Sequence, residues 1–241
     1  MTASTPGRFL VFEGGDAVGK TTQVSLLCAW LQDAGYQVVR TFEPGDTELG
    51  RQIRQIVLSP ATGELDPRAE ALLYAADKAH HLAAVVRPAL AGGAVVVCDR
   101  YVDSMLAYQG AGRVLELDEV ELVARWATQD LRPDLTVLLD MDPDGAVSGK
   151  QDKDRLEAAG DGFHARVRSS FLELASRDPA CYLVLAARQS RESIAAQVLD
   201  RVRPLLDRRP SVERIARPRL DDRGNATRRE RSEQVFGGSR E

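Results

Sequence analysis

The chain is short of cysteine: three in 241 residues, Cys28, Cys98 and Cys181. None forms a C-x-x-C pair or a metal-ligand spacing, which excludes a disulfide-stapled scaffold and a zinc module. Each stands in an apolar run, so buried, reduced thiols in a cytoplasmic protein are expected. No apolar stretch approaches the ~20 residues of a membrane helix. The first seven residues lack the basic-then-apolar order of a secretory signal, so none is expected. No repeat recurs at solenoid periods. Charge of one sign is not in excess either, the net being −4. It is unevenly spread: ten Arg face seven Asp or Glu from Asp207 to Glu241, leaving −7 on the first 206 residues. An acidic body argues against nucleic acid as a partner.

What is present suits one globular α/β domain with a sizeable core, at 44% hydrophobic residues. Short β-branched runs alternate with longer helical patterns, the signature of a mainly parallel sheet covered by helices. Five strands are expected, at 8–13, 37–42, 94–98, 135–139 and 181–185. Helices are expected at about 20–34, 47–58, 67–90, 102–109 and 118–130. Between the fourth and fifth strands, 142–162 is polar and weakly periodic, which predicts a mobile surface loop. From Asp207 onward, Arg, Asp, Ser, Gly and Pro dominate, and the pattern predicts a disordered tail.

Gly14-Gly15-Asp16-Ala17-Val18-Gly19-Lys20-Thr21 satisfies G-x-x-x-x-G-K-[ST] between an apolar strand and an amphipathic helix. Glycines let backbone N–H groups converge on phosphate oxygens, and the helix N-terminus adds a favourable field. Lys20 supplies charge to the β and γ phosphates, Thr21 offers a hydroxyl to Mg²⁺, and Thr22 follows in the same turn. A nucleoside triphosphate and Mg²⁺ are thereby expected. A second group of charges gathers at strand ends, where open parallel sheets place ligands. Asp99-Arg100 follows the third strand, Arg54 lies on the helix after the second, and Asp16 is inside the loop itself. Asp99 suits Mg²⁺, held through water, and Arg100 suits an anionic acceptor held by a fork of hydrogen bonds.

These residues resemble the bacterial thymidylate kinases. The match rests on Phe12-Glu13-Gly14-Gly15-Asp16 through Gln23, Glu43-Pro44-Gly45-Asp46-Thr47-Glu48-Leu49-Gly50 with Ile53-Arg54, and Asp99-Arg100-Tyr101-Val102-Asp103-Ser104. Ala107-Tyr108-Gln109-Gly110, Arg132-Pro133-Asp134 and Asp154-Arg155-Leu156-Glu157 extend it over about 8–204. The resemblance implies a P-loop NTPase fold, a five-stranded parallel sheet with a lid at 142–162, within one kinase-like domain over 1–206. It implies transfer of phosphate from ATP to dTMP, and a homodimer formed through helices on one side of the sheet. Arg54 and Arg100 would hold the dTMP phosphate. Asp16 and Glu43 would sit near the sugar and Mg²⁺. Tyr108 would pack under the deoxyribose, Gln109 would bond the thymine edge, Tyr74 would stack on the base and Lys78 would contact it. Ser104 and Met105 would complete the base pocket. Arg155 would be the catalytic arginine of the subgroup whose lid supplies one, with Lys150 and Lys153 as auxiliaries.

The chain also departs from the family. Phe42 stands where Arg is usual before Glu43, and Lys78, where Arg is usual, lacks the forked geometry. Met105 replaces a small polar residue, and Ala17 occupies the position of the catalytic Arg of the other subgroup. A kinase acting on another pyrimidine nucleotide or a deoxynucleoside, and a non-catalytic P-loop binding protein, are the alternatives.

Overall fold

The computed structural model describes residues 7–113, 115–142, 155–156 and 160–207. Strands β1 (Arg8–Gly14), β2 (Val38–Phe42), β3 (Val95–Asp99), β4 (Leu135–Asp140) and β5 (Tyr182–Ala186) form one parallel sheet. Their order is β2-β3-β1-β4-β5. The central strands are unbroken apolar runs because both faces are covered. Leu10, Phe12, Val95, Val97, Leu135 and Val137 turn toward a core completed by α1 (Lys20–Asp33) and α8 (Arg191–Asp207). Their neighbours Phe9, Val11, Val96 and Cys98 face the opposite side, against Leu82, Val86 and Tyr101.

That opposite side carries most of the helices. α2 (Glu48–Leu58) begins at Thr47, whose hydroxyl accepts from Gly50 N at 2.9 Å. α3 (Pro67–His81) runs through a π-helical turn, Leu82–Val86, into α4 (Arg87–Ala91). The single helix expected over 67–90 is therefore widened in the middle. Pro88 gives the reason: it has no N–H to offer the carbonyl four residues back, and a wider turn relieves its ring. α5 (Val102–Met105) likewise continues as a π-helical stretch, Leu106–Gly112. α6 (Leu117–Thr128) and α7 (Asp161–Arg177) finish this layer.

Cys28 and Cys98 are buried free thiols, as expected; Cys181 is only partly buried, because it precedes edge strand β5. Among the described residues no helix is long and apolar enough to cross a membrane. Of the lid segment, 142, 155–156 and 160–162 are described; Lys150 and Lys153 lie outside the described residues, as does the tail from 208.

Candidate active site

The phosphate loop leaves β1 at Gly14, whose φ of 132° and 2.4 Å approach of an added Cβ to Leu139 O leave room for glycine alone. Gly19, at φ 95°, caps α1 from the left-handed region. Lys20 is buried at the first helical position, and its Nζ donates to Gly14 O at 3.1 Å and also to Gly15 O. Burial, joined by the charge of Arg100, pushes the Lys20 ammonium down to about 7. An arriving phosphate would reverse that shift, so the loop is electrostatically poised for an anion. Thr21 Oγ1 donates to Asp99 Oδ2 at 2.8 Å, which sets a hydroxyl and a carboxylate side by side at the end of β3. Hard oxygen donors of this kind suit Mg²⁺, which binds through one or two protein groups plus phosphates and water.

Arg100 directly follows β3 with a φ of 71°, unusual for a residue with a side chain. Its backbone N donates to Phe12 O at 2.8 Å. The turn aims the guanidinium back at the phosphate loop: Nη1 donates to Gly14 O at 3.0 Å and to Ser104 Oγ at 3.1 Å, and Nη2 donates to Asp16. The same guanidinium lies 5.2 Å from the Tyr108 ring centre, and Tyr108 Oη donates to Asp16 at 3.0 Å. Burial alone would raise the Asp16 carboxyl, yet the charges of Arg100 and Lys20 hold it below its ordinary value. Beneath this group sits Glu13, fully buried. It accepts from Tyr101 N at 2.7 Å, Ser104 N at 3.1 Å and Ser104 Oγ at 2.6 Å. Glu13 fixes the turn that carries Arg100; its visible signal is a charged residue at the end of an apolar strand.

A cleft opens beside the loop. Asp16, Glu43, Arg54, Tyr74, Lys78, Arg100, Ser104, Tyr108 and Gln109, all expected at the acceptor site, line it together with Pro44, Leu58 and Leu156. Arg54 Nη1 donates to Pro44 O at 2.8 Å, and its guanidinium stands 5.9 Å from the ring centre of Phe42, the residue that replaces the family's arginine.

The wall behind Glu43 is a buried ionic group. Lys78 Nζ donates to Glu43 Oε2 and, at 2.8 Å, to Tyr101 O. His81 Nδ1 lies 2.7 Å from Glu43 Oε1, and its Nε2 meets Thr41 Oγ1. Burial opposes charge on both partners, but their mutual attraction holds Glu43 below and Lys78 above their ordinary values. His81 is part of the site that sequence reasoning missed; its spacing of three from Lys78, on one helix face, is the available signal.

Two expected residues are placed elsewhere. Met105 is 1% exposed and packs in the core rather than on the cleft wall. Ser104 and Tyr108, four apart, take the cleft side of the helix, so the next residue turns inward. Arg155 makes its described contacts away from the phosphate loop. Its N and Nε donate to Leu58 O at 3.2 Å and Val57 O at 3.0 Å, and Nη2 donates to Glu70.

A phosphate-binding loop at the carboxyl edge of a parallel sheet, facing a cleft with two arginines, defines a P-loop phosphotransferase with an anionic acceptor. The thymidylate kinase family model matches residues 12–198. The chain is 58% identical over 202 residues to the thymidylate kinase of Cutibacterium acnes, covering 84% of this chain and 99% of that one. It is 53% identical over 204 residues to that of Clavibacter michiganensis subsp. michiganensis, covering 83% and 96%. The crystal structure of thymidylate kinase from Ehrlichia chaffeensis aligns with a TM-score of 0.67 at 28% identity, covering 82% of this chain and 99% of that one. This chain belongs to the thymidylate kinase family.

Proposed function

We propose that the protein transfers the γ-phosphoryl group of ATP to dTMP, giving dTDP and ADP for dTTP synthesis in the cytoplasm. The observation that carries this reading is the placement of Arg100. One guanidinium lines the acceptor cleft and stands 3.0 Å from Gly14 O of the phosphate loop, so an acceptor phosphate held there adjoins the donor.

The acceptor sets the chemistry required. A phosphate monoester has its second pKa near ~6 and is already an anion at neutral pH, so no general base is needed. The work is to bring two anionic groups into line, neutralise them and exclude water. Gly14 to Thr22 cradle the ATP phosphates, with Lys20 against the β and γ oxygens. Arg54 and Arg100 grip the dTMP phosphate from the two sides of the cleft. Asp16, held ionised, braces Arg100 and Tyr108, which packs under the deoxyribose. Tyr74 stacks on the base; Gln109 and Lys78 take its polar edge. Thr21 and Asp99 would hold Mg²⁺, which when bound would neutralise phosphate charge. Arg155 is the lid's cation, and delivering it to the transferred group requires exchange of Glu70 for phosphate oxygens.

We also propose a homodimer through α2, α3 and α6. These helices pack side by side and leave Leu49, Ile56, Leu72, Leu122 and Trp126 exposed, Trp126 to 82%. An outward face of that kind is ordinary for a self-association surface.

The test is a product assay with ATP, Mg²⁺ and a panel of acceptors: dTMP, dUMP and thymidine. dTDP from dTMP as the main product supports the reading; phosphorylation of thymidine alone, or ATP hydrolysis without acceptor turnover, overturns it.

A further inference from the structure

Glu70, on α3 one turn before Tyr74, is fully buried beside the acceptor cleft. Three residues converge on its carboxylate. Gln109 Nε2 donates to Oε1 at 3.0 Å. Arg113 donates from Nε to Oε1 at 3.2 Å and from Nη2 to Oε2 at 3.1 Å. Arg155 Nη2 donates to Oε2. Burial alone would raise this carboxyl, but the hydrogen bonds from Arg113, Gln109 and Arg155 outweigh it and hold it below its ordinary value.

An ionised carboxylate only accepts hydrogen bonds, whereas a glutamine amide has one donating and one accepting end. Glu70 therefore decides which end is which: the NH₂ of Gln109 must point at α3. Gln109 is 1% exposed and lines the cleft. Its Oε1 has no hydrogen-bond partner among the described residues and is the end left for a ligand.

We propose that Glu70 is a specificity-determining positioning residue: by locking the Gln109 amide in one orientation, it presents the acceptor base with a carbonyl oxygen. That oxygen accepts from a pyrimidine carrying N3–H, as in thymine and uracil, and opposes the bare N3 lone pair of cytosine. The proposal rests on the reading that Gln109 faces the base edge. Glu70 touches no substrate; it acts through Gln109, and Arg113 and Arg155 keep it charged.

The E70Q variant tests this. An amide at position 70 can donate as well as accept, so Gln109 is free to turn over. kcat/KM is measured for dTMP and for dCMP in the wild type, E70Q, Q109M and the double variant. E70Q is expected to lower the dTMP/dCMP ratio by about tenfold or more, the scale of one hydrogen bond to a buried group. The loss of preference should appear as a rise in the KM for dTMP relative to that for dCMP; any change in kcat from a looser hold on Arg155 falls on both substrates alike and leaves the ratio unmoved. In the Q109M background, which has no amide to orient, E70Q should leave the ratio unchanged. If E70Q slows both substrates by one factor, or shifts the ratio equally in the Q109M background, the role of Glu70 is overturned while the acceptor reading stands. If the wild type phosphorylates no dTMP, the acceptor reading fails and takes this proposal with it. Should E70Q not fold, E70D is read by the same criteria: it keeps a charge for both arginines and shortens the reach to Gln109.

Discussion

The two halves of the site are built on different principles. The donor half is one continuous stretch, Gly14 to Thr22, and its geometry is a property of the backbone: positive φ at Gly14, Ala17 and Gly19, then a helix N-terminus. The acceptor half is gathered from the end of β2, α2, α3, the turn after β3 and the helix that follows it. Its geometry is a property of paired side chains. Glu43 with Lys78 and His81, Asp16 with Arg100 and Tyr108, and Glu70 with Gln109 and two arginines each fix one part of the cleft. The donor half is consequently sensitive at few side chains, Lys20 and Thr21, and at the glycines whose backbone shape it depends on, Gly14 and Gly19. In the acceptor half a single substitution strands a buried partner.

The largest effect is expected on the donor side. K20A should lower kcat by about 10³-fold, the scale of losing a preorganised charge at the transferred group, and should leave the melting temperature unchanged or raised. Burial disfavours the Lys20 charge, so its loss does not cost folding free energy. A K20A protein that unfolds readily would erase the contrast between the halves. The second effect lies across the cleft. K78M should destabilise the fold by about 3 kcal/mol in denaturant titration, because Glu43 keeps its burial and loses its cation. R100A comes third, with an increase of about 10²-fold in the KM for dTMP, as expected for loss of a charge-assisted contact.

A pH experiment sharpens the same comparison. Lys20 titrates at about 7 in the free loop, and an ATP phosphate beside it raises that value. Above pH 7 part of the free protein is neutral at Lys20, so ATP binding should take up a proton. Calorimetry at pH 8 in buffers of different ionisation enthalpy reads this directly, and ATP affinity should weaken as pH rises from 7 to 9. dTMP binding, whose arginines stay charged throughout, should show no uptake from this source. The smallest effect is at Met105. M105L conserves volume in the core, costs less than ~1.5 kcal/mol of stability and leaves the KM for dTMP unchanged.

This difference also decides what the amino-acid order discloses. The five strands, the helices between the first four and the phosphate loop are legible because each is encoded locally, by an apolar run or by glycines at fixed spacing. α7 and α8 escape the reading, although Phe163, Val167 and Phe171, and Ile194, Val198 and Val202, repeat every four residues. Charged and polar residues crowd between these apolar positions and mask their period. In the cleft, the wall residues are legible through the family's motifs, whereas their supports are not. Glu13, Glu70 and His81 bind partners 25 or more positions away. No local pattern separates a buried glutamate on α3 from the solvated ones on other helices. Sequence position alone puts Met105 at the cleft, whereas the direction in which a helix turns its successive side chains puts it in the core.

The central claim is that Arg54 and Arg100 grip a phosphate monoester next to the ATP-binding loop. Calorimetric titration of dTMP and of thymidine into the wild type and the R54A/R100A double variant tests it most directly. The account predicts that the wild type binds dTMP far more tightly than thymidine, and that the double variant binds the two alike. An unchanged preference for dTMP in the double variant would contradict it.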